Sequence, residues 1–205
     1  LRGLFIRLLA NVGDDDLAQD NAGDLHDSYL RDAGSVEPNM AAAVTGVVAS
    51  KGDTADYDLF REKYRDPSTP QEERRYQSAL SAFPGEPEMK RTLKMTLDGT
   101  VRTQDAPYLL AVCMRNKYQG HIAWAFVKEN WDKINEVFPS NSIVRMLSGV
   151  TSLSKPSEAE DVLAFFEDHE VPQGQLTLQQ TLEKLQVIVA LRKRETERFS
   201  ASLTS

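Results

Sequence analysis

Apolar residues recur along most of the chain three and four positions apart, a spacing that places them on one face of an α-helix. No stretch shows the sustained alternation of apolar and polar residues that is typical of a half-buried strand. The pattern therefore predicts an all-α fold. Glycines separate the periodic runs, as expected at helix C-termini and turns: Gly13, Gly34, Gly52, Gly85, Gly99, Gly120 and Gly174.

The periodic runs and their capping residues predict eleven helices. Thr69, Pro70 and Glu72, for example, combine an N-cap side chain, a proline at the first helical position and a glutamate three residues after the cap. The predicted helices cover residues 1–12, 15–33, 37–50, 53–65, 69–83, 86–98, 105–116, 121–137, 139–150, 157–168 and 176–201.

Taken in pairs, these helices form hairpins that begin near residues 37, 69, 105 and 139, a recurrence of about 34 residues. Repeats of this length stack so that each hairpin buries its apolar face against its neighbours. The spacing predicts a right-handed superhelix of antiparallel helix pairs, a solenoid of the HEAT or armadillo type. We expect it to form a single domain over residues 1–205.

Two apolar stripes with helical spacing stand out. Trp124, Val127, Trp131, Ile134 and Phe138 form one of them, and the last helix carries a second at Leu178, Leu182, Leu185 and Val189. Stripes of this kind are the ordinary inner face of a helix, so core packing is the favoured interpretation. A partner-binding aromatic face around the tryptophans is the alternative.

Charge and composition narrow the function classes. The 205 residues carry a formal net charge of −7, which argues against a nucleic-acid or anionic-membrane partner, since either would need a clustered basic excess. No apolar run approaches the roughly 20 residues of a membrane span. The single cysteine, Cys113, lies in an apolar run and is expected to be buried. These features predict a cytoplasmic location.

The sequence offers no catalytic residue. A zinc peptidase needs two histidines one helical turn apart with a glutamate between them, whereas His26, His121 and His169 are widely separated. The aspartates at 14–16 do not match a calcium loop and are better explained as a helix start. Ser152 and Lys155 have the spacing of penicillin-recognising enzymes without the companion motifs.

The basic run at 192–194 indicates a solvated helix end, with a docking patch as the alternative.

Several stretches, in order, resemble one known family. They are Lys51-Gly52-Asp53 with Tyr57 and Tyr64, Thr69-Pro70 with Glu72, Val101-Arg102 with Gln104-Asp105, and Ala123-Trp124, Phe126 and Asn130-Trp131, followed by Phe165-Phe166 and Gln179-Gln180. The pattern formed by Trp124, Phe126, Asn130 and Trp131 is the most specific of them and is the candidate core motif. Together the stretches are similar to the C-terminal domain of the aminopeptidase N and puromycin-sensitive aminopeptidase family, which includes the endoplasmic-reticulum aminopeptidases.

The resemblance implies an α-helical superhelix that closes over a separate thermolysin-like domain. The zinc motif of the family, His-Glu-x-x-His, and its Gly-x-Met-Glu-Asn segment are absent here, so no catalytic or metal residue carries over. The resemblance therefore implies a non-catalytic domain that encloses the active-site chamber and limits peptide access. Its expected partners are peptide substrates and the catalytic domain of the same polypeptide, which would hold the zinc.

A free-standing helical-repeat scaffold that binds a protein partner is the alternative function, because helical solenoids make extended concave surfaces. The chain begins at Leu1 without a methionine and runs directly into an amphipathic pattern. This start predicts a cut inside a longer protein and so favours the aminopeptidase domain over the scaffold.

Arg102 and Arg115 are the candidate contacts for the terminal carboxylate of a bound peptide. An arginine fork offers paired donors to two oxygens, and both residues lie at predicted helix boundaries, where loops commonly carry contacts. The alternative is structural: Arg102 caps the carbonyls of the preceding helix, and Arg115 with Lys117 complements a helix C-terminus.

Overall fold

The computed structural model describes residues 1–171 and 174–203, which form helices and turns without β-strands. The predicted all-α fold is therefore confirmed. Clustering of contacts divides it into two compact units, Leu1–Thr92 and a second unit that begins at Leu93. The helices are α1 Arg2–Arg7, α2 Asp16–Arg31, α3 Pro38–Lys51, α4 Thr54–Arg65, α5 Pro70–Leu80, α6 Glu86–Met95, α7 Ala106–Met114, α8 Gly120–Glu129, α9 Trp131–Val137, α10 Ser140–Met146, α11 Pro156–Asp168 and α12 Gln175–Leu203.

Several of these helices begin with a capping side chain at the position that the sequence predicts. Asp15 caps α2 by accepting a hydrogen bond from the backbone N–H of Ala18 at 2.7 Å, which explains the run of aspartates there. Asp53 and Asp56 form a reciprocal capping box at the start of α4. Thr69 caps α5 by accepting a hydrogen bond from the backbone N–H of Glu72 at 3.1 Å, and Pro70 is the first residue of the helix.

The core of the first unit is rich in aromatic rings. Phe60 of α4 packs against Tyr76 of α5, and both Phe60 and Tyr57 of α4 pack against Phe83 just beyond α5, with ring centroids 5.0–5.5 Å apart in edge-to-face arrangements. All four side chains are fully buried. Each such pair contributes about 0.5–1.5 kcal/mol beyond its buried area, so this cluster fixes α4 against α5.

In the second unit α7 is the central helix, and it contacts α8, α10 and the 3₁₀-helix Leu147–Ser152. Its run of apolar residues is almost wholly buried, and burial raises the pKa of the Cys113 thiol to about 12. Cys113 is therefore a packing residue rather than a reactive thiol. The 3₁₀-helix also supports α12, which packs in addition on α11.

The predicted helix over 121–137 is wrong in one respect, because the structure divides it into α8 and α9 at Asn130. Asn130 leaves helical geometry at φ −113° and ψ 19°, and its side-chain amide donates to the carbonyl of Phe126 at 2.9 Å. Short polar side chains compete for backbone groups in this way and favour helix ends. The stripe Trp124, Val127, Trp131, Ile134 and Phe138 is nevertheless buried throughout, in agreement with core packing.

Other predicted helices are also subdivided. Residues 1–12 form α1 followed by the π-helical turn Leu8–Val12, and residues 139–150 form α10 followed by the 3₁₀-helix.

Within each unit neighbouring helices pack as pairs, such as α4 with α5 and α11 with α12, which is consistent with solenoid-like packing. A single domain over residues 1–205 stays a prediction. None of the helices described here is long and apolar enough to cross a membrane.

Candidate functional site

The two candidate arginines lie at opposite ends of α7. Arg102 is exposed in the turn before the helix, where its carbonyl accepts hydrogen bonds from the N–H groups of Asp105 and Ala106 at 2.9 Å. Arg115 follows the last residue of α7 and is also exposed. α7 has nine residues, which makes it about 13.5 Å long at 1.5 Å per residue, and it lies between the two arginines in the chain. The two side chains are therefore independent candidates rather than one carboxylate clamp.

Arg115 has a structural contact of its own. Its guanidinium donates to the hydroxyl of Ser148 at 2.9 Å, which ties the end of α7 to the 3₁₀-helix Leu147–Ser152. Its position at a helix C-terminus also suits a cation, because the unsatisfied carbonyls there carry partial negative charge. Both features agree with the structural role considered from the sequence, and an exposed guanidinium keeps donors for a ligand as well.

The candidate core motif joins α8 to α11. The indole N–H of Trp124 donates to the carboxylate of Asp161 at 2.7 Å, and the ammonium of Lys128 donates to the same carboxylate at 2.6 Å. Burial raises the pKa of Asp161, but the hydrogen bonds from Lys128 and Trp124 outweigh it and leave the pKa below its ordinary value. Asp161 is thus an ionised anchor for both side chains.

Aromatic rings continue from this anchor toward the end of α11. Trp131 lies at an edge-to-face angle to Phe165 and Phe166, with centroids 5.4 and 5.9 Å away. The imidazole of His169 stacks on Phe165 at 3.8 Å. Phe126 and Asn130 are half-buried beside the two buried tryptophans. The motif therefore contributes to the packing of α8, α9 and α11. Phe166 is half-buried and extends this packing to the molecular surface.

No group of three or more His, Cys, Asp or Glu side chains within residues 1–171 and 174–203 has an arrangement that could hold a metal ion. His26 is buried in the first unit, His121 is exposed on α8 and His169 stacks on Phe165. These positions do not fit a zinc site.

Residues 1–17 expose an apolar surface, the N-terminal apolar face. It follows the helical spacing of α1 and the π-helical turn, and beside it lies a cavity of about 480 Å³ lined in part by Leu25, Val36 and Met40. Single exposed apolar residues are ordinary, but a contiguous set marks a surface that another element covers. The face consists of Leu1, Leu4, Phe5, Leu8, Leu9, Val12 and Leu17, each between 46% and 91% exposed.

A second surface feature is the groove between α11 and α12, the interhelical groove, with a volume of about 370 Å³. Its apolar lining comprises Leu163, Phe166, Val171, Leu178 and Leu182, and Glu170 and Glu183 stand at its exposed edge. The sequence pattern does not predict this groove, because its lining comes from two helices and from the residues just after α11. The stripe at Leu178 and Leu182 was the one available signal.

Comparison with known proteins gives a consistent result. A family model described as "ERAP1-like C-terminal domain" matches residues 1–187. Aminopeptidase M1-B of Oryza sativa subsp. japonica is 27% identical over 195 residues, 91% of this chain and 22% of that protein. Endoplasmic reticulum aminopeptidase 2 of Bos taurus is 32% identical over 152 residues, 71% of this chain and 16% of that protein. The chain thus spans about a fifth of the length of these relatives.

Proposed function

The chain belongs to the family of ERAP1-like C-terminal domains, and from this premise we propose that it is the non-catalytic C-terminal domain of a zinc-dependent aminopeptidase. In this role it encloses the active-site chamber of the parent enzyme and limits which peptides enter. Both relatives named above are named as aminopeptidases, and these names describe the whole proteins. This supports the assignment of the parent activity.

The observation that carries this proposal is the N-terminal apolar face. Seven large apolar side chains lie exposed on the first 17 residues, and burial of one such side chain is worth about 1.5–3 kcal/mol. An exposed apolar face of this size is typical of a surface that another element covers. The remaining four fifths of a relative-sized polypeptide would supply that element, and its catalytic domain is the proposed partner.

In the parent enzyme, zinc and the residues that activate water belong to the proposed catalytic domain. The side chains of this chain instead shape the wall of the chamber. Arg102 and Arg115 are the proposed contacts for the carboxylate of a long peptide, each acting separately because α7 lies between them. Peptide substrates and the catalytic domain are therefore the proposed partners, and family membership favours this role over a free-standing scaffold.

Two measurements test the proposal. The purified 205-residue chain should release no amino acid from a peptide or from an aminoacyl-arylamide, and zinc-dependent turnover by it would contradict the non-catalytic role. In the full-length parent, Arg102→Ala or Arg115→Ala should lower kcat/KM for peptides of about ten residues and leave single-residue arylamides unchanged. Equal effects on the two substrate classes would exclude carboxylate capture.

We also propose a cytoplasmic location for the parent. The buried single cysteine, which forms no internal disulfide, agrees with a reducing compartment. One of the two relatives named above is named for the endoplasmic reticulum, so the location requires a direct test. Fractionation of cells that express the tagged parent should recover it with cytosolic markers, and recovery with luminal markers would contradict the proposal.

A further inference from the structure

The interhelical groove between α11 and α12 has the features of a binding site for a particular chemical class. We propose that it binds a short peptide segment in which aliphatic side chains stand next to a lysine or an arginine. The proposal uses only the groove itself and does not depend on the proposed function of the parent enzyme.

The size and floor of the groove favour an apolar occupant. Its volume of about 370 Å³ lies in the range of small-ligand pockets, about 300–1,000 Å³. Leu163, Phe166 and Leu182 are only half-buried, so the floor presents apolar surface to water. Covering these side chains removes apolar surface from water, which favours an apolar occupant. Two or three aliphatic side chains of a peptide would therefore fill the groove.

The acidic side chains at the edge of the groove favour a cationic group in the occupant. Glu170 and Glu183 contribute two carboxylates, and Gln175, Gln179 and Gln186 contribute amide groups. Among the described residues of the chain, this lining contains no lysine or arginine. The amide of Gln179 donates to the carboxylate of Glu183 at 3.0 Å, which orients that carboxylate along α12. A net charge of −7 over the whole chain adds a long-range attraction for a basic segment and repels an acidic one.

The basic end of α12 from a second copy of the chain is a less suitable occupant. Its arginines already have a partner, because Arg194 and Arg198 both pair with Glu195 in their own helix. Arg192 donates to the hydroxyl of Ser154 at 2.9 Å. The occupant is a segment of a different chain, and binding of the basic end of α12 from a second copy is a separate outcome of the test.

The two tryptophans of the chain allow the groove to be monitored directly. Trp124 and Trp131 lie with their ring centroids 5.8 and 5.9 Å from that of Phe166, which lines the groove. The probe is the acetylated, amidated hexapeptide Leu-Lys-Leu-Leu-Lys-Leu, and the control peptide has glutamate in place of each lysine. Calorimetry of the 205-residue chain gives the affinity, and tryptophan emission reports whether the peptide lies beside Phe166.

A matched pair of variants then tests the acidic edge. Glu183→Gln should lower the affinity of the chain for the lysine peptide by about two- to fivefold, which is the effect of one exposed ion pair. This difference in affinity should shrink in 0.5 M salt, which screens the ion pair. Glu160→Gln removes the same charge from an exposed position of α11 outside the groove lining and should change nothing. Both positions are on the surface, so both variants should fold.

Four outcomes would overturn the proposal. One is the absence of peptide binding by calorimetry, and another is equal affinity for the lysine and glutamate peptides. The third is binding that is insensitive to Glu183→Gln. Concentration-dependent self-association that Glu183→Gln abolishes would instead assign the groove to a second copy and would also reject the proposed occupant.

Discussion

His26 is a buried imidazole that joins three helices of the first unit. It lies on α2 with 3% of its surface exposed, and its ring centroid is 5.2 Å from Phe60 of α4 and 6.4 Å from Tyr76 of α5. Burial lowers its pKa from the ordinary value of 6.5. Asp27 and Asp56 act in the opposite direction, and Arg75 and Lys63 lower the pKa further. The native state therefore holds this histidine neutral.

Acid should destabilise the first unit through His26. Because the native state resists protonation, the unfolded chain binds more protons below about pH 6.5, and the free energy of unfolding should fall as the pH decreases through that value. Urea unfolding of the wild type and of His26→Leu between pH 7.5 and 5.5 measures the effect. The variant should lose less stability on acidification, whereas His121→Gln at an exposed position should match the wild type. Equal pH dependence of wild type and His26→Leu would contradict the prediction.

At the scale of elements, one glycine decides how the 3₁₀-helix Leu147–Ser152 packs on α7. A Cβ atom at Gly149 would lie 2.7 Å from the carbonyl oxygen of Ala111 and 2.8 Å from the terminal methyl of Met114. Real Cβ atoms do not approach a backbone oxygen so closely, so any side chain would push the two elements apart. This contact also supports α12, which rests on the same 3₁₀-helix.

Gly149→Ala should therefore lower the free energy of unfolding by about 1–3 kcal/mol, the usual cost of overpacking a core. Gly46→Ala in the middle of α3 is the matched control, because its Cβ would meet no atom within 4 Å. Alanine is the better helix former, so the control should raise stability by about 0.5–1 kcal/mol. Thermal and urea unfolding of both variants provide the measurement, and a neutral Gly149→Ala would show that the 3₁₀-helix shifts without cost.

At the scale of the whole molecule, the N-terminal apolar face predicts a difference between the 205-residue chain and the full-length parent. Phe5 is 54% exposed, so Phe5→Glu in the chain alone should change stability by less than about 0.5 kcal/mol. In the parent, the same substitution would place a charge in the proposed interface and should cost at least about 2 kcal/mol. Val187→Glu, at a position on α12 that is 67% exposed, should be neutral in both proteins.

Differential scanning calorimetry of the two proteins gives this comparison. An equal, small effect of Phe5→Glu in the parent and in the chain would mean that no element covers the N-terminal apolar face. That outcome would remove the observation on which the proposed function depends, while the interhelical groove would be unaffected.

Local sequence determined the class of the fold and most of its helix starts. Helical spacing of apolar residues, the caps Asp15, Asp53 and Thr69, and the prolines that open α5 and α11 act within a few residues of one another, so they can be read without tertiary context. The apolar stripe on residues 1–12 was visible for the same reason. The absence of a zinc-binding histidine pair is likewise a property of spacing alone.

Only the tertiary structure decided which surfaces are available for binding. It placed Arg102 and Arg115 at opposite ends of α7, and it broke the predicted helix at Asn130, where the side chain competes with the backbone. It also assembled the interhelical groove from Phe166 and Leu182, which belong to different helices. Periodicity identifies the apolar face of one helix, but how much of that face a second helix covers depends on contacts between residues distant in sequence.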